Sequence, residues 1–162
     1  MTNFLSFTGT VTMINDFFTN QNDGEGCHKL ITLENGSGGI VNFVVSPSTY
    51  IVDHVTLAIG DLVTGYYDGD APAILIYPPQ YPALVMVKNS PHQHVKVDYF
   101  NNQLVSRDGQ LQLNISPFTK VLIRNGLSFT NNPANRDLIV IYGAATKSIP
   151  AITTPYRIIV LC

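Results

Sequence analysis

The sequence predicts an all-β protein built as two tandem small β-barrels, five to six strands each, related by internal duplication. Short runs of β-branched and aromatic residues alternate with polar ones and stop at Gly, Pro, Asn or Asp, the pattern of half-buried strands. No segment carries the 3.6-residue apolar spacing of a helix. A proline-rich extended stretch feeding an apolar strand occurs twice, as Ile76-Tyr77-Pro78-Pro79-Gln80-Tyr81-Pro82 before residues 83–87, and as Ile149-Pro150-Ala151-Ile152-Thr153-Thr154-Pro155-Tyr156 before residues 157–161.

The expected elements follow in chain order. Residues 7–14 form a first strand, and residues 15–26 a long polar loop whose only large apolar side chains are Phe17 and Phe18. Residues 29–33 and 40–45 form a hairpin around Asn35-Gly36-Ser37-Gly38-Gly39, because Asn and Gly supply the positive φ angles of tight hairpin turns. Ser46-Pro47 then breaks the strand, since proline brings no N–H to a ladder. Short strands are expected at 49–52, 62–67, 74–77 and 84–87, with turns at 57–61 and 68–72 between them. Residues 89–93 read as a connector. Strands at 95–99, 104–106, 111–115, 120–124, 138–142 and 158–161 repeat the order, with Asp108-Gly109 as the second hairpin turn and Ser116-Pro117 as the second break.

Subtraction tests the repeat. Asn35-Gly36 lies 73 residues before Asp108-Gly109, Ser46-Pro47 lies 70 before Ser116-Pro117, Tyr66 lies 76 before Tyr142, and Pro82 lies 73 before Pro155. The changes of offset fall in expected turns, where insertions are tolerated. The implied division is 1–89 for the first barrel repeat and 93–162 for the second. Short strands that must hide their edges suggest closed or nearly closed barrels. Their order resembles the oligonucleotide/oligosaccharide-binding (OB) fold, with a two-sheet sandwich made from both copies as the alternative.

The composition restricts function. Nine Lys and Arg against eleven Asp and Glu give a net charge of −2, without the basic surplus of a phosphate-tracking protein, so nucleic acid is not the expected partner. Charged residues make up only 12% of the chain, about half the usual share, and the surface leans instead on 14 Asn and 14 Thr. Cys27 and Cys162 fit a disulfide or two free thiols equally. The first residues carry neither the basic nor the apolar region of a signal peptide, and no apolar run approaches the roughly 18 residues of a membrane span.

Two segments carry a resemblance. Ile59-Gly60-Asp61-Leu62-Val63-Thr64-Gly65-Tyr66-Tyr67-Asp68 and Ile76-Tyr77-Pro78-Pro79-Gln80-Tyr81-Pro82-Ala83 resemble those of an uncharacterised bacterial tandem repeat module. Such modules occur in secreted or wall-associated proteins, sometimes beside domains like the N-terminal domain of copper amine oxidases. The resemblance implies a secreted or cell-surface parent protein and a non-catalytic surface or binding role. It brings no activity, no cofactor and no site residues.

Candidate chemistry is sparse. Tyr66, Tyr67, Tyr77 and Tyr81, with Phe17 and Phe18, could form a stacking face for a polysaccharide or another protein, or could pack the proline-rich segment over a barrel mouth. His92 and His94 are the metal candidates, two imidazoles on one face of an extended segment, yet no metal is expected without a third ligand. Asp68-Gly69-Asp70 starts like a calcium loop but lacks its closing Glu. Pro78-Pro79-Gln80-Tyr81 formally matches a PPxY peptide. The paired carboxylates Asp61 and Asp137 read as turn formers. No nucleophile motif and no glycine-rich phosphate loop is present. The expectation is a binding module through a Tyr/Pro-rich face. An OB-type nucleic-acid binder is the alternative and a hydrolase stands behind it.

Overall fold

The computed structural model describes residues 1–18 and 26–162, so the central part of the polar loop expected at 15–26 lies outside the described residues. The described residues hold thirteen strands and one short 3-10 turn, Val52–His54, and no other helix. They divide into two compact units: Leu5–Asn89, and Ser90–Cys162 together with Met1–Phe4.

In the first unit the strands are β1 (Phe4–Asp16), β2 (Lys29–Glu34), β3 (Ile40–Val45), β4 (Tyr50–Ile51), β5 (Leu62–Asp68), β6 (Gln80–Pro82) and β7 (Val85–Lys88). They form one sheet in the order β4-β7-β5-β1-β2-β3-β6, with β4 and β6 at its ends. β1, β2 and β3 pair antiparallel, whereas β6 joins β3 in parallel and β4 joins β7 in parallel. In the second unit, β8 (His94–Phe100), β10 (Lys120–Ile123), β11 (Arg136–Tyr142) and β13 (Arg157–Val160) form a four-stranded sheet in the order β10-β13-β11-β8. β9 (Leu111–Leu113) and β12 (Ala151–Thr153) form a separate two-stranded sheet.

This topology overturns the expectation of two OB-like barrels, and with it the tandem OB-like repeat module that the resemblance implied. The sheets are mixed. Four parallel ladders pair Asn42 with Gln80, Tyr50 with Val85, Leu111 with Ala151, and Lys120 with Arg157, each joining residues 35 to 40 positions apart. Such rung-on-rung pairing is the device of a β-solenoid. The barrel reading assumed that edges vanish by closure. Instead, short strands entered through the proline-rich segments lie along them.

Three local expectations change as well. The strand placed at 74–77 is exposed coil, and the strand lies six residues on at β6. The strand placed at 104–106 shrinks to isolated antiparallel bridges at Val105 and Ser106 behind a turn: the Asn101 side-chain carbonyl accepts from the Gln103 and Val105 amides (2.9 and 3.1 Å), and Leu104 takes φ of 60°. The offset of 76 at Tyr66 is one too many. The Tyr66 carbonyl accepts from Leu84 N–H (2.8 Å) as the Ile141 carbonyl accepts from Tyr156 N–H (2.9 Å), so Tyr67, not Tyr66, stands where Tyr142 does.

The same turn chemistry serves both units. Ser46 N–H donates to the Thr49 hydroxyl (3.0 Å), whose own hydrogen goes to the Ala83 carbonyl (2.7 Å). Ser116 N–H donates to the Thr119 hydroxyl (3.3 Å), which donates to the Pro155 carbonyl (2.7 Å). Each threonine thus bolts a Ser-Pro turn to the residue two positions before the last strand of its unit.

The first core gathers Val11, Ile31, Leu33, Val41, Phe43, Val63 and Met86, with Tyr67 and Tyr81 packed against it. The second gathers Phe100, Leu111, Leu138, Val140, Ile158 and Val160. Each such fully buried side chain contributes about 1.5–3 kcal/mol. Gly65 makes room for the largest of them: a Cβ there would lie 2.5 Å from the Phe43 ring. Since Phe43 is completely buried and cannot swing away, Gly65→Ala is expected to destabilise the fold by about 1–3 kcal/mol. Urea unfolding checks this, and Phe43→Leu added to Gly65→Ala should recover part of the loss.

Candidate functional site

The predicted aromatic residues do not form one face. Tyr67 on β5 and Tyr81 on β6 stack on each other, with ring centroids 3.8 Å apart and planes within 6° of parallel. Phe43 on β3 lies tilted against both, at 6.0 and 6.3 Å. Strand geometry explains the cluster: Phe43 pairs directly with Tyr81 in the parallel ladder, so both side chains leave the sheet on one side. Burial, the hydroxyl hydrogen bond to Tyr81 and the electrostatic influence of that ring push the Tyr67 phenol up to about 12. These two tyrosines are partly buried and pack against the first core, with no barrel mouth for them to cover.

The others scatter. Tyr66, next along β5, is half-buried and alternates to the opposite side from Tyr67. Phe17 is half-buried, its N–H donating to the His28 carbonyl (2.9 Å), while Phe18 is 69% exposed. Tyr77 is 77% exposed and ends the apolar run Ile74-Leu75-Ile76, in which Leu75 is wholly exposed. Pro78-Pro79-Gln80-Tyr81 is no free peptide, because Gln80–Pro82 is strand β6.

His92 and His94 are exposed; the His94 ring sits 5.4 Å from that of Tyr142. Among the described residues no group of three His, Cys, Asp or Glu side chains could hold a metal ion. Asp68 Oδ1 accepts from the Asp70 amide (2.9 Å), closing a turn. Cys27 and Cys162 are free thiols. Among the described residues no helix is long and apolar enough to cross a membrane.

Two features went unnoticed in the sequence. The first is an ionisable cluster in the second unit. Asp98 is 7% exposed and accepts from the amides of Tyr99 (2.8 Å) and Asp108 (3.3 Å). Burial raises its carboxyl, against the pull of those amides. Burial also works to raise Asp108, but the Lys96 ammonium, the Ser106 hydroxyl (2.6 Å) and the Gln110 amide (3.0 Å) outweigh it and hold that carboxyl low. Carboxyls pushed in opposite directions are a mark of acid–base pairs. Here, however, every carboxylate oxygen already accepts a hydrogen bond, Asp98 from the Tyr99 and Asp108 amides and Asp108 from Ser106, Gln110 and Lys96, and the pair braces the 106–110 turn. Asp61 and Asp137 brace likewise, through the amides of Ala58 (2.8 Å) and Thr2 (3.3 Å).

The second is an open groove of about 550 Å3 in the second unit, lined by residues 143–146, 152–154 and Tyr156. Its sequence signal was in view: Tyr156 closes the second proline-rich segment. In the same unit Arg136 lies over the Phe129 ring, 4.9 Å from its centroid.

No protein-family model and no curated protein matches the chain. The resemblance carried by residues 59–68 and 76–83 thus confers no family membership.

The phenol pair yields a pH test. Native Tyr67 keeps its proton to about 12, whereas in the unfolded chain it loses it near 10. Between those values the fold binds the extra proton, so this contribution to stability is complete below 10 and disappears as pH rises through 12. Ring-carbon NMR titration should show the late ionisation, and Tyr81→Phe should bring it down toward the ordinary value.

Proposed function

We propose that the chain is a non-catalytic binding module that holds a partner protein on residues 71–77 of its first unit. One observation carries this reading: all seven residues are exposed, with Leu75 at 100%, Tyr77 at 77% and Ile74 at 67%. Contiguous exposed aliphatic side chains on a folded domain mark interaction surfaces. Their chemistry favours a protein over a sugar, because Ile74, Leu75 and Ile76 offer neither hydroxyl nor charge. The backbone supports extended pairing, since Ala71 and Ile76 donate only within the segment's own turns, to Asp68 and Ile74 (3.3 and 3.0 Å). An incoming strand could add its main chain here and seat alternate side chains against the aliphatic run. The Tyr67–Tyr81 stack, anchored on Phe43, gives the neighbouring strands a rigid base. The occupied carboxylates of the second unit favour a role without catalysis.

Selection from a random peptide library against the folded chain, followed by NMR titration of the selected peptide, tests this. Shifts confined to residues 71–77 are expected, and Leu75→Asp should weaken binding by about tenfold, the factor that 1.4 kcal/mol represents, without loss of spectral dispersion. Peptides that leave residues 71–77 unmoved would remove the reading, and an oligosaccharide that moves them would replace the protein partner with a glycan.

A further inference from the structure

The groove of the second unit has a chemistry of its own. Tyr156 is 56% exposed, yet its position is fixed. Its N–H donates to the Ile141 carbonyl (2.9 Å), its carbonyl accepts from Lys120 N–H (3.0 Å), and the Pro155 carbonyl before it is held by the Thr119 hydroxyl (2.7 Å). The phenol lies directly on Gly143, where a Cβ would sit 2.1 Å from the hydroxyl oxygen. The ring is therefore a presented surface on a pinned backbone, and its hydroxyl makes no hydrogen bond to the described residues.

The walls add hydroxyls and no charge. Thr154 Oγ1 accepts from the Asn114 amide (3.1 Å) and keeps its hydrogen to donate. Thr146 Oγ1 accepts from Ile152 N–H (2.8 Å) and shares a hydrogen with Ser148 (2.7 Å). Thr153 is turned inward, donating to the Ala144 carbonyl (2.6 Å), and so only shapes the floor. Ile152, 43% exposed, and Gly143, Ala144 and Ala145 supply apolar surface. A lining without an ionisable side chain other than the phenol gives an anion or a cation nothing to pair with.

The first unit shows what keeps this space open. Matched through their strand hydrogen bonds, Tyr67 corresponds to Tyr142 and Tyr81 to Thr153. Where the first unit fills the position with two stacked rings, the second has one ring and a threonine. The ring that is left accessible there is Tyr156.

We propose that the Tyr156 groove binds a neutral polysaccharide, with a sugar ring lying on the tyrosine and its hydroxyls meeting Thr154, Thr146 and the Tyr156 phenol. The two faces of a pyranose differ in the required sense: axial C–H groups suit the aromatic surface and equatorial hydroxyls suit the threonines. An open trough accommodates a length of polymer, where an enclosed pocket would take only a free sugar. This site is separate from residues 71–77, and its success or failure is independent of that reading.

The test is amide NMR of the full 15N-labelled chain with cellohexaose, chitohexaose and maltohexaose in turn. At least one should shift Gly143, Thr146 and Thr154, and raising the salt should change nothing. Tyr156→Ala should weaken binding by about tenfold, while Tyr156→Phe, which keeps the ring, should lose much less. Should Tyr156→Ala lose its dispersion, Thr154→Val replaces it, with a several-fold loss expected. The proposal is overturned if all three oligosaccharides leave those amides in place, if they move only residues 71–77, or if the folded variants bind like the parent.

Discussion

In each unit, the backbone of an edge strand has to find partners, and a threonine hydroxyl determines where they come from. Thr49 and Thr119 each receive a hydrogen bond from a Ser-Pro turn and pass one on to the residue two positions ahead of the unit's last strand. That bond fixes the level at which the proline-rich segment arrives. Once it is fixed, Tyr50 can pair with Val85 and Lys120 with Arg157 in parallel. The preceding short strands, β6 and β12, are likewise set beside β3 and β9. A hydrogen bond of this kind contributes only about 1 kcal/mol net. Its importance lies in register, because a slip of one residue would exchange every side chain of these strands between the two faces of the sheet, and both faces are packed: Val85, Met86 and Val87 are all buried, as are Ile158, Ile159 and Val160.

On that shared scaffold the units have used the same volume differently. Phe43, Tyr67 and Tyr81 close the first unit with aromatic packing, and Gly65 is the concession that allows Phe43 its place. The second unit has Leu113 and Thr153 at the positions matching Phe43 and Tyr81, and a trough remains. Glycine again mediates, but Gly143 accommodates a ring on the surface, whereas Gly65 accommodates one inside.

Much of the strand pattern was legible because period-two alternation, Asn-Gly and Asp-Gly turns and Ser-Pro breaks each have a local cause. β3 falls where its alternation places it, and β2 and β13 within a residue. What local rules do not encode is partnership. Nothing in Gln80-Tyr81-Pro82 says that it lies parallel to Asn42-Phe43-Val44, and so the barrel was inferred where mixed ladders stand. The turn at Leu104 was equally hidden, since it depends on the Asn101 side chain prevailing over a strand of β-forming residues. For the aromatic candidates, alternation separates Tyr66 from Tyr67, but only the tertiary pairing puts Tyr81 on Tyr67. Tyr156 stood out least, as its interest comes from Gly143, thirteen positions away.

The run Ile74-Leu75-Ile76 is strongly β-forming and exposed, a composition that in isolation invites fibril formation. Its neighbours keep that hazard in check. Pro72 on one side and Pro78-Pro79 on the other leave five residues between them, short of the roughly six or seven that a steric zipper needs. Asp68 and Asp70 add negative charge just upstream. The prolines that shape the entry to β6 therefore also act as gatekeepers, and a sticky surface can be displayed permanently without seeding its own aggregation.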